Sequence, residues 1–137
     1  LAETAITMKI ETIALILALL FLAGIADGIR DTLQFHYHEI GLSQDNTFWN
    51  PKISWRNKYR NADPAQGARF PGSTTIFVFV TDAWHLLQWA FLGLWRAALL
   101  VLAAQVVRLR WYWWVGLWFV SALPFQLGFH LMYTIIW

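Results

Sequence analysis

A set of acidic and histidine side chains has spacings that would let it bind a metal ion; its members are Asp27, Asp31, His38, Asp82, His85 and His130. Asp27, Asp31 and His38 are separated by four and then seven residues, so on a helix they share one face. Asp82 and His85, three residues apart, are also neighbours on a helix surface. The sequence therefore predicts a mixed carboxylate and imidazole cluster.

Zinc, manganese and non-haem iron accept this mixture of ligands, particularly where facing helices direct the side chains inward. The chain contains no cysteine, so thiolate ligands are excluded. A metal with an open coordination position would activate water for hydrolysis, with Asp31 and Asp82 in the catalytic role. We therefore predict a metal-dependent membrane enzyme that acts on a lipid-like substrate.

Each of these residues also has a structural interpretation. Asp82 would cap a helix, Asp27 and Asp31 would mark helix ends at the membrane surface, and His85 and His130 would be hydrogen-bonded within the core. Haem is a further alternative, with His85 and His130 as axial ligands from different helices. The surrounding carboxylates make haem the weaker hypothesis, because haem pockets in membranes are mostly apolar.

The composition indicates the environment of these residues. Of 137 residues, 58% are hydrophobic and only 13% are charged, whereas soluble domains carry roughly 25% charged residues. We therefore expect an integral membrane protein. The net charge of +2 does not indicate a nucleic-acid partner.

The predicted fold class is an all-α integral membrane protein with three transmembrane helices and one long polar loop. The helices are expected at about 8–38, 82–107 and 111–137, and the loop at about 39–81. Within the loop, residues 74–80 are rich in β-branched and aromatic types and are expected to be extended or interfacial. Pro124 should kink the third helix.

The beginning of the chain allows two interpretations. Met8 resembles a native start, which would make residues 1–7 a remnant or an alternative start. The first apolar segment could also be a secretory signal peptide, but its helical pattern continues past Asp27, so a transmembrane helix is favoured.

This topology brings the titratable residues towards the membrane face that carries the loop. The first helix ends at that face, the second begins there, and the third returns to it. The loop carries more basic residues than the opposite face, so the positive-inside rule favours a cytoplasmic loop in a bacterial inner membrane.

Basic and aromatic residues alternate in the loop. Lys52, Arg56 and Lys58 lie among Trp55 and Tyr59, a composition typical of the headgroup layer. We therefore expect the three basic residues to contact anionic lipid headgroups.

Two charges lie within the predicted spans. Glu11 and Arg96 are expected at the same depth, where a structural ion pair would offset the cost of burying either charge.

The chain is rich in tryptophan, with ten residues, which suits contact with lipid or with partner subunits. A chain this small is expected to form homo-oligomers or to join other membrane subunits. The alternative function is accordingly a non-catalytic subunit of a larger membrane complex.

Two motifs carry a resemblance to a known group of proteins. The run from Trp49 to Tyr59 reads WNPxxSWxNKY, and the run from Thr81 to His85 reads TDxWH. With the FPGSTT run between them, these motifs resemble a group of small, uncharacterised bacterial membrane proteins over roughly residues 27–88. The resemblance implies a bacterial membrane protein and no particular reaction.

Overall fold

The computed structural model describes residues 8–136, except for the side chains of residues 129–130 and 132–136. All regular elements in this part of the chain are helical, as predicted. They are α1 (Ile10–His36), α2 (Pro51–Ser54), α3 (Ala83–Ala103), α4 (Trp111–Val120) and α5 (Ala122–Ile136), together with short 3-10 turns.

Among the residues that the structure describes, two helical segments are long and apolar enough to cross a membrane. The segment Ile10–Glu39 has a mean hydropathy of 2.3 and α3 has one of 1.7. Their 27-residue and 21-residue α-helices are about 40 and 32 Å long, against a hydrocarbon core of ~30 Å. Only 11% of the most apolar window of each is buried within the chain.

The single third helix predicted for 111–137 is instead two helices that meet at Ser121. The N–H of Ser121 still donates to the carbonyl of Leu117, and its backbone angles are helical. Pro124 explains the interruption, because it has no N–H to donate to the carbonyl of Val120 and its ring crowds that group. Trp137 lies outside the described residues.

The loop is folded into short helical pieces. Asn50 accepts a hydrogen bond from the N–H of Lys52 at 3.1 Å, and Asp63 accepts one from the N–H of Ala65 at 2.9 Å. Each is followed by a proline at the first helical position, where its missing N–H costs nothing. The Asn-Pro and Asp-Pro pairs therefore start helical turns within the loop.

Residues 74–80 are not extended, so the first of the two predicted alternatives is wrong, whereas an interfacial position stays a prediction. The N–H groups of Thr75 and Phe77 both donate to the carbonyl of Gly72, and the segment ends in the 3-10 turn Val78–Val80. Gly72 has a φ of +81°, which permits this sharp reversal. Local turn bonds have thus prevailed over the β propensity of the side chains.

Side-chain bonds hold the loop against the helix ends. The hydroxyl of Tyr37 donates to the carbonyl of Ser43 at 2.8 Å, and the amide of Asn57 donates to the carbonyls of Thr47 and Thr81. The small core beneath the loop contains Leu33, Tyr37 and Ala83, packed against Phe48 and Leu87.

The chain forms two compact units, of which one is Phe21–Leu94 and the other combines residues 8–20 with 95–136. The loop and the helix ends that hold it belong to the first unit.

Replacing Gly72 by alanine should destabilise the protein. An added Cβ would lie 2.8 Å from Cδ2 of Phe77, and the positive φ disfavours any side chain. We expect a loss of about 2–4 kcal/mol, from about 1–2 for the backbone and the rest from overpacking.

The control is Gly41→Ala, because Gly41 has a similar φ of +71° and nothing within 4 Å of the added Cβ. Thermal unfolding in detergent should show a clearly larger loss for Gly72→Ala. Equal losses would show that the contact with Phe77 is unimportant.

Candidate functional site

Asp82 caps the N-terminus of α3. Its Oδ1 accepts a hydrogen bond from the backbone N–H of His85 at 2.9 Å, and the residue is only 1% exposed. The N–H of Ala83 donates instead to the carbonyl of Phe48 in the loop, at 3.0 Å. Two of the N–H groups at the start of α3 are therefore satisfied, one by the cap and one by the loop.

The second oxygen of Asp82 holds the imidazole of His85. Oδ2 lies 2.7 Å from Nδ1 of His85. It also lies 3.1 Å from the hydroxyl of Thr81, whose single proton is shared with the carbonyl of Val78 at 2.7 Å. If Nδ1 is the donor in this contact, the carboxylate of Asp82 accepts its proton, and Nε2 of a neutral ring keeps its lone pair.

The imidazole borders a cleft of about 210 Å³. The residues that line this cleft come from α1, α2, the turn after α2 and the start of α3; they are Gln34, Pro51, Ser54, Trp55, Asp82, Trp84 and His85. Ser54 is buried and is the only hydroxyl-bearing residue among them. The side chain of His85 is 24% exposed, so small molecules can reach it.

The ring of Trp84 limits the movement of the imidazole. The two rings are perpendicular, at 80°, with their centroids 5.1 Å apart. Together with the contact between Nδ1 and Asp82, this ring contact fixes the orientation of His85. The arrangement can accept a proton or bind a cation at one defined nitrogen atom.

Asp27 and Asp31 contact an arginine and are not brought to His85. Nη2 of Arg30 lies 2.8 Å from Oδ1 of Asp27 and 3.0 Å from Oδ1 of Asp31. Its guanidinium also lies 5.8 Å from the ring centroids of both Trp84 and Phe91. The two predicted ligands therefore share one neighbouring cation, which also joins α1 to α3.

His38 does not lie on the predicted face of α1. The helix ends at His36, and His38 belongs to the 3-10 turn Tyr37–Glu39, where its side chain is 68% exposed and lies 3.4 Å from the Glu39 carboxylate. The change from α-helix to 3-10 turn after His36 breaks the expected register.

The side chain of His130 lies outside the described residues, so its predicted roles as a metal or haem ligand remain predictions. Among the side chains that the structure describes, no group of three or more His, Asp or Glu residues could hold a metal ion. Of the six predicted ligands, the structure joins Asp82 to His85 and places Asp27 and Asp31 around Arg30.

Glu11 and Arg96 form no ion pair with each other in the described part of the chain. The guanidinium of Arg96 lies instead 6.0 Å from the ring centroid of Trp118. A cation–π contact has thus replaced the predicted carboxylate.

Sequence reasoning missed Arg30 and Ser54. The charge of Arg30 could have been noticed, because Arg30 follows Asp27 by three residues and directly precedes Asp31. Ser54 carries no comparable signal, since only the folded loop brings it to the cleft.

Comparison with protein-family models, with curated proteins and with solved structures finds no match to this chain. The resemblance to small bacterial membrane proteins therefore remains a prediction.

Replacing Arg30 by methionine should destabilise the contact between α1 and α3. The change leaves two carboxylates without their cation and removes the contacts with Trp84 and Phe91. Because the Arg30 side chain is 20% exposed, we expect an intermediate loss of about 1–3 kcal/mol.

Arg30→Lys is the matched control, since it keeps the charge but loses the planar guanidinium. Thermal unfolding in detergent should rank the proteins as wild type, then Arg30→Lys, then Arg30→Met. An unchanged midpoint for Arg30→Met would contradict the structural role of this cluster.

Proposed function

We propose that this protein is a bacterial inner-membrane enzyme that hydrolyses a lipid-like substrate, with His85 as its general base. In this proposal α1, α3 and the α4–α5 pair are three transmembrane spans, and the loop faces the cytoplasm. The exposed apolar surfaces of α1 and α3 support the membrane location.

The observation that carries the proposal is the contact between the buried carboxylate of Asp82 and Nδ1 of His85. A carboxylate in this position fixes the ring tautomer and orientation, and it stabilises the imidazolium that forms when Nε2 takes a proton. Asp82 is accordingly a positioning residue, whereas His85 would contact the reacting atoms.

The shape of the cleft supports a substrate that is only partly enclosed. Its volume of about 210 Å³ is below the ~300–1,000 Å³ of pockets that enclose a whole drug-sized ligand. An ester group or a small headgroup fits this space, and the remainder of a lipid would stay in the bilayer beside the spans.

The proposed reaction uses the lone pair of Nε2 of His85. Nε2 of His85 takes a proton from a water molecule while the water oxygen attacks the carbonyl carbon or phosphorus of an ester. The bond to the leaving oxygen then breaks, and the imidazolium returns the proton to that oxygen. Ser54 lies in the same cleft, so its hydroxyl is the alternative source of the attacking oxygen.

A metal-dependent form of the same reaction has one supporting observation. Histidines that bind metals usually donate their other ring N–H to a carboxylate, and Nδ1 of His85 lies 2.7 Å from Oδ2 of Asp82. In this form Nε2 would bind zinc, manganese or iron, with His130 as the predicted second ligand. Haem stays the lesser hypothesis and requires the same two histidines.

The alternative function is a non-catalytic subunit of a membrane complex. Large apolar side chains on α4 are exposed in the isolated chain, including Trp111 at 76%. Such a surface suits either lipid or a partner helix. A native gel that shows partner subunits or a second copy of this chain would favour this function, provided that the protein also hydrolyses no lipid.

The substitution Asp82→Asn separates chemistry from folding. Asparagine still caps α3, but its NH₂ group donates to Nδ1 of His85, so the proton moves to Nε2 and the base is lost. We expect hydrolysis of ester or phosphoester lipids in mixed micelles to fall about 10²–10⁴-fold, with the unfolding midpoint little changed.

His85→Gln should lose the same activity, whereas His36→Gln should retain it, because the described contact of His36 is with exposed Glu39. Equal activity of wild type and His85→Gln on every lipid class would overturn the proposal. Ser54→Ala distinguishes the two sources of the attacking oxygen. Hydrolysis should be lost if the Ser54 hydroxyl attacks and should be retained if a water molecule attacks.

Metal analysis of the detergent-purified protein tests the metal-dependent form. Zinc, manganese or iron should be present in about one equivalent and should be lost in His85→Ala. Substoichiometric metal that is unchanged in this variant would leave only the metal-free reaction.

A further inference from the structure

We propose that a surface of the loop binds the phosphate of an anionic lipid headgroup. This surface, here called the basic aromatic surface, is formed by Trp55, Arg56, Lys58 and Tyr59. The inference rests on the proposed function in one respect, since it assigns anionic lipids as the substrate class of the cleft.

The loop carries positive charge that is not neutralised locally. Its basic residues are Lys52, Arg56, Lys58, Arg60 and Arg69. Within the described part of the chain, none of them has a carboxylate within 4.0 Å; the ion pairs found there involve Arg30 and three histidines. The carboxylate of Asp63 is used by the N–H of Ala65 and the amide of Gln66. The charges of the loop thus remain available to an external anion.

Two of these cations are placed over aromatic rings. Cζ of Arg56 lies 5.4 Å from the ring centroid of Trp55, and Nζ of Lys58 lies 5.5 Å from that of Tyr59. The two rings are perpendicular, with centroids 6.1 Å apart. A ring face attracts a cation without using all of its N–H donors, so these groups can still donate to phosphate oxygens.

The backbone beneath the surface is fixed by hydrogen bonds. The carbonyl of Lys58 accepts from the N–H of Arg69 at 2.9 Å and from the hydroxyl of Ser73 at 2.7 Å. The side-chain amide of Asn57, the residue before Lys58, donates to the carbonyls of Thr47 and Thr81. Because the turn is held before any ligand arrives, binding loses little additional backbone entropy.

Trp55 connects this surface to the cleft. Its indole contacts Arg56 and Tyr59, and the same residue lines the cleft beside His85. A lipid whose phosphate lies on the basic aromatic surface would therefore have its neighbouring ester groups close to the cleft. Tryptophan, tyrosine and basic residues together also suit the headgroup layer of a membrane with anionic lipids.

The test is a titration of purified protein in neutral detergent with soluble short-chain lipids, followed by native mass spectrometry. The probes are dihexanoylphosphatidylglycerol, dihexanoylphosphatidylcholine and inorganic phosphate. We expect the wild type to prefer the anionic lipid, and Arg56→Gln with Lys58→Gln to weaken its binding about 10- to 30-fold.

The matched control is Arg108→Gln with Arg110→Gln, which removes the same charge beyond the opposite end of α3. Binding by this control should stay within about twofold of the wild type. Arg56→Lys with Lys58→Arg, which keeps both charges, should retain most of the binding. Circular dichroism checks that each variant is folded.

Equal binding of both lipids, or equal losses in the two double variants, would overturn the inference. Binding of inorganic phosphate as tight as that of the anionic lipid would also overturn the lipid assignment. His85→Gln separates this inference from the proposed function: it should bind the anionic lipid normally and fail to hydrolyse it. Binding without hydrolysis by the wild type would reject only the function, and hydrolysis without anionic preference would reject only this inference.

Discussion

The buried carboxylate of Asp82 is the constraint on which the rest of this structure depends. One oxygen caps α3 at the end of the loop by accepting a hydrogen bond from the backbone N–H of His85. The other oxygen orients the imidazole of the same residue. A buried carboxylate without such partners would be very costly. Because a single side chain performs both tasks, the boundary between loop and helix and the geometry of the candidate site cannot vary independently.

Local patterns in the sequence account for much of the fold. Long apolar segments predict α1 and α3, and Thr81-Asp82 predicts a helix cap, because hydropathy and capping depend on neighbouring residues alone. The conformation of residues 74–80 could not be predicted in this way. Their β-branched and aromatic side chains favour a strand, but Gly72 starts a series of turn bonds that propensity does not describe.

The site was only partly predictable for a related reason. The contact between Asp82 and His85 follows from helical spacing. The prediction of one site shared by all the titratable residues assumed in addition that residues at equal depth face one another. Asp27 and Asp31 instead pair with Arg30 of the same helix, and the guanidinium of Arg30 lies against the rings of Trp84 and Phe91 on α3. The cleft itself depends on the folded loop, which no periodic pattern encodes.

The side-chain amide of Asn57 has a consequence for the motions of the loop. It bonds the carbonyls of Thr47 and Thr81, which lie 10 and 24 residues away in the sequence. One side-chain amide therefore bonds two chain segments to the same residue, and without it they would open separately. The backbone amides between these points should exchange with solvent in a single cooperative opening, so that the loop behaves as one unit in hydrogen exchange.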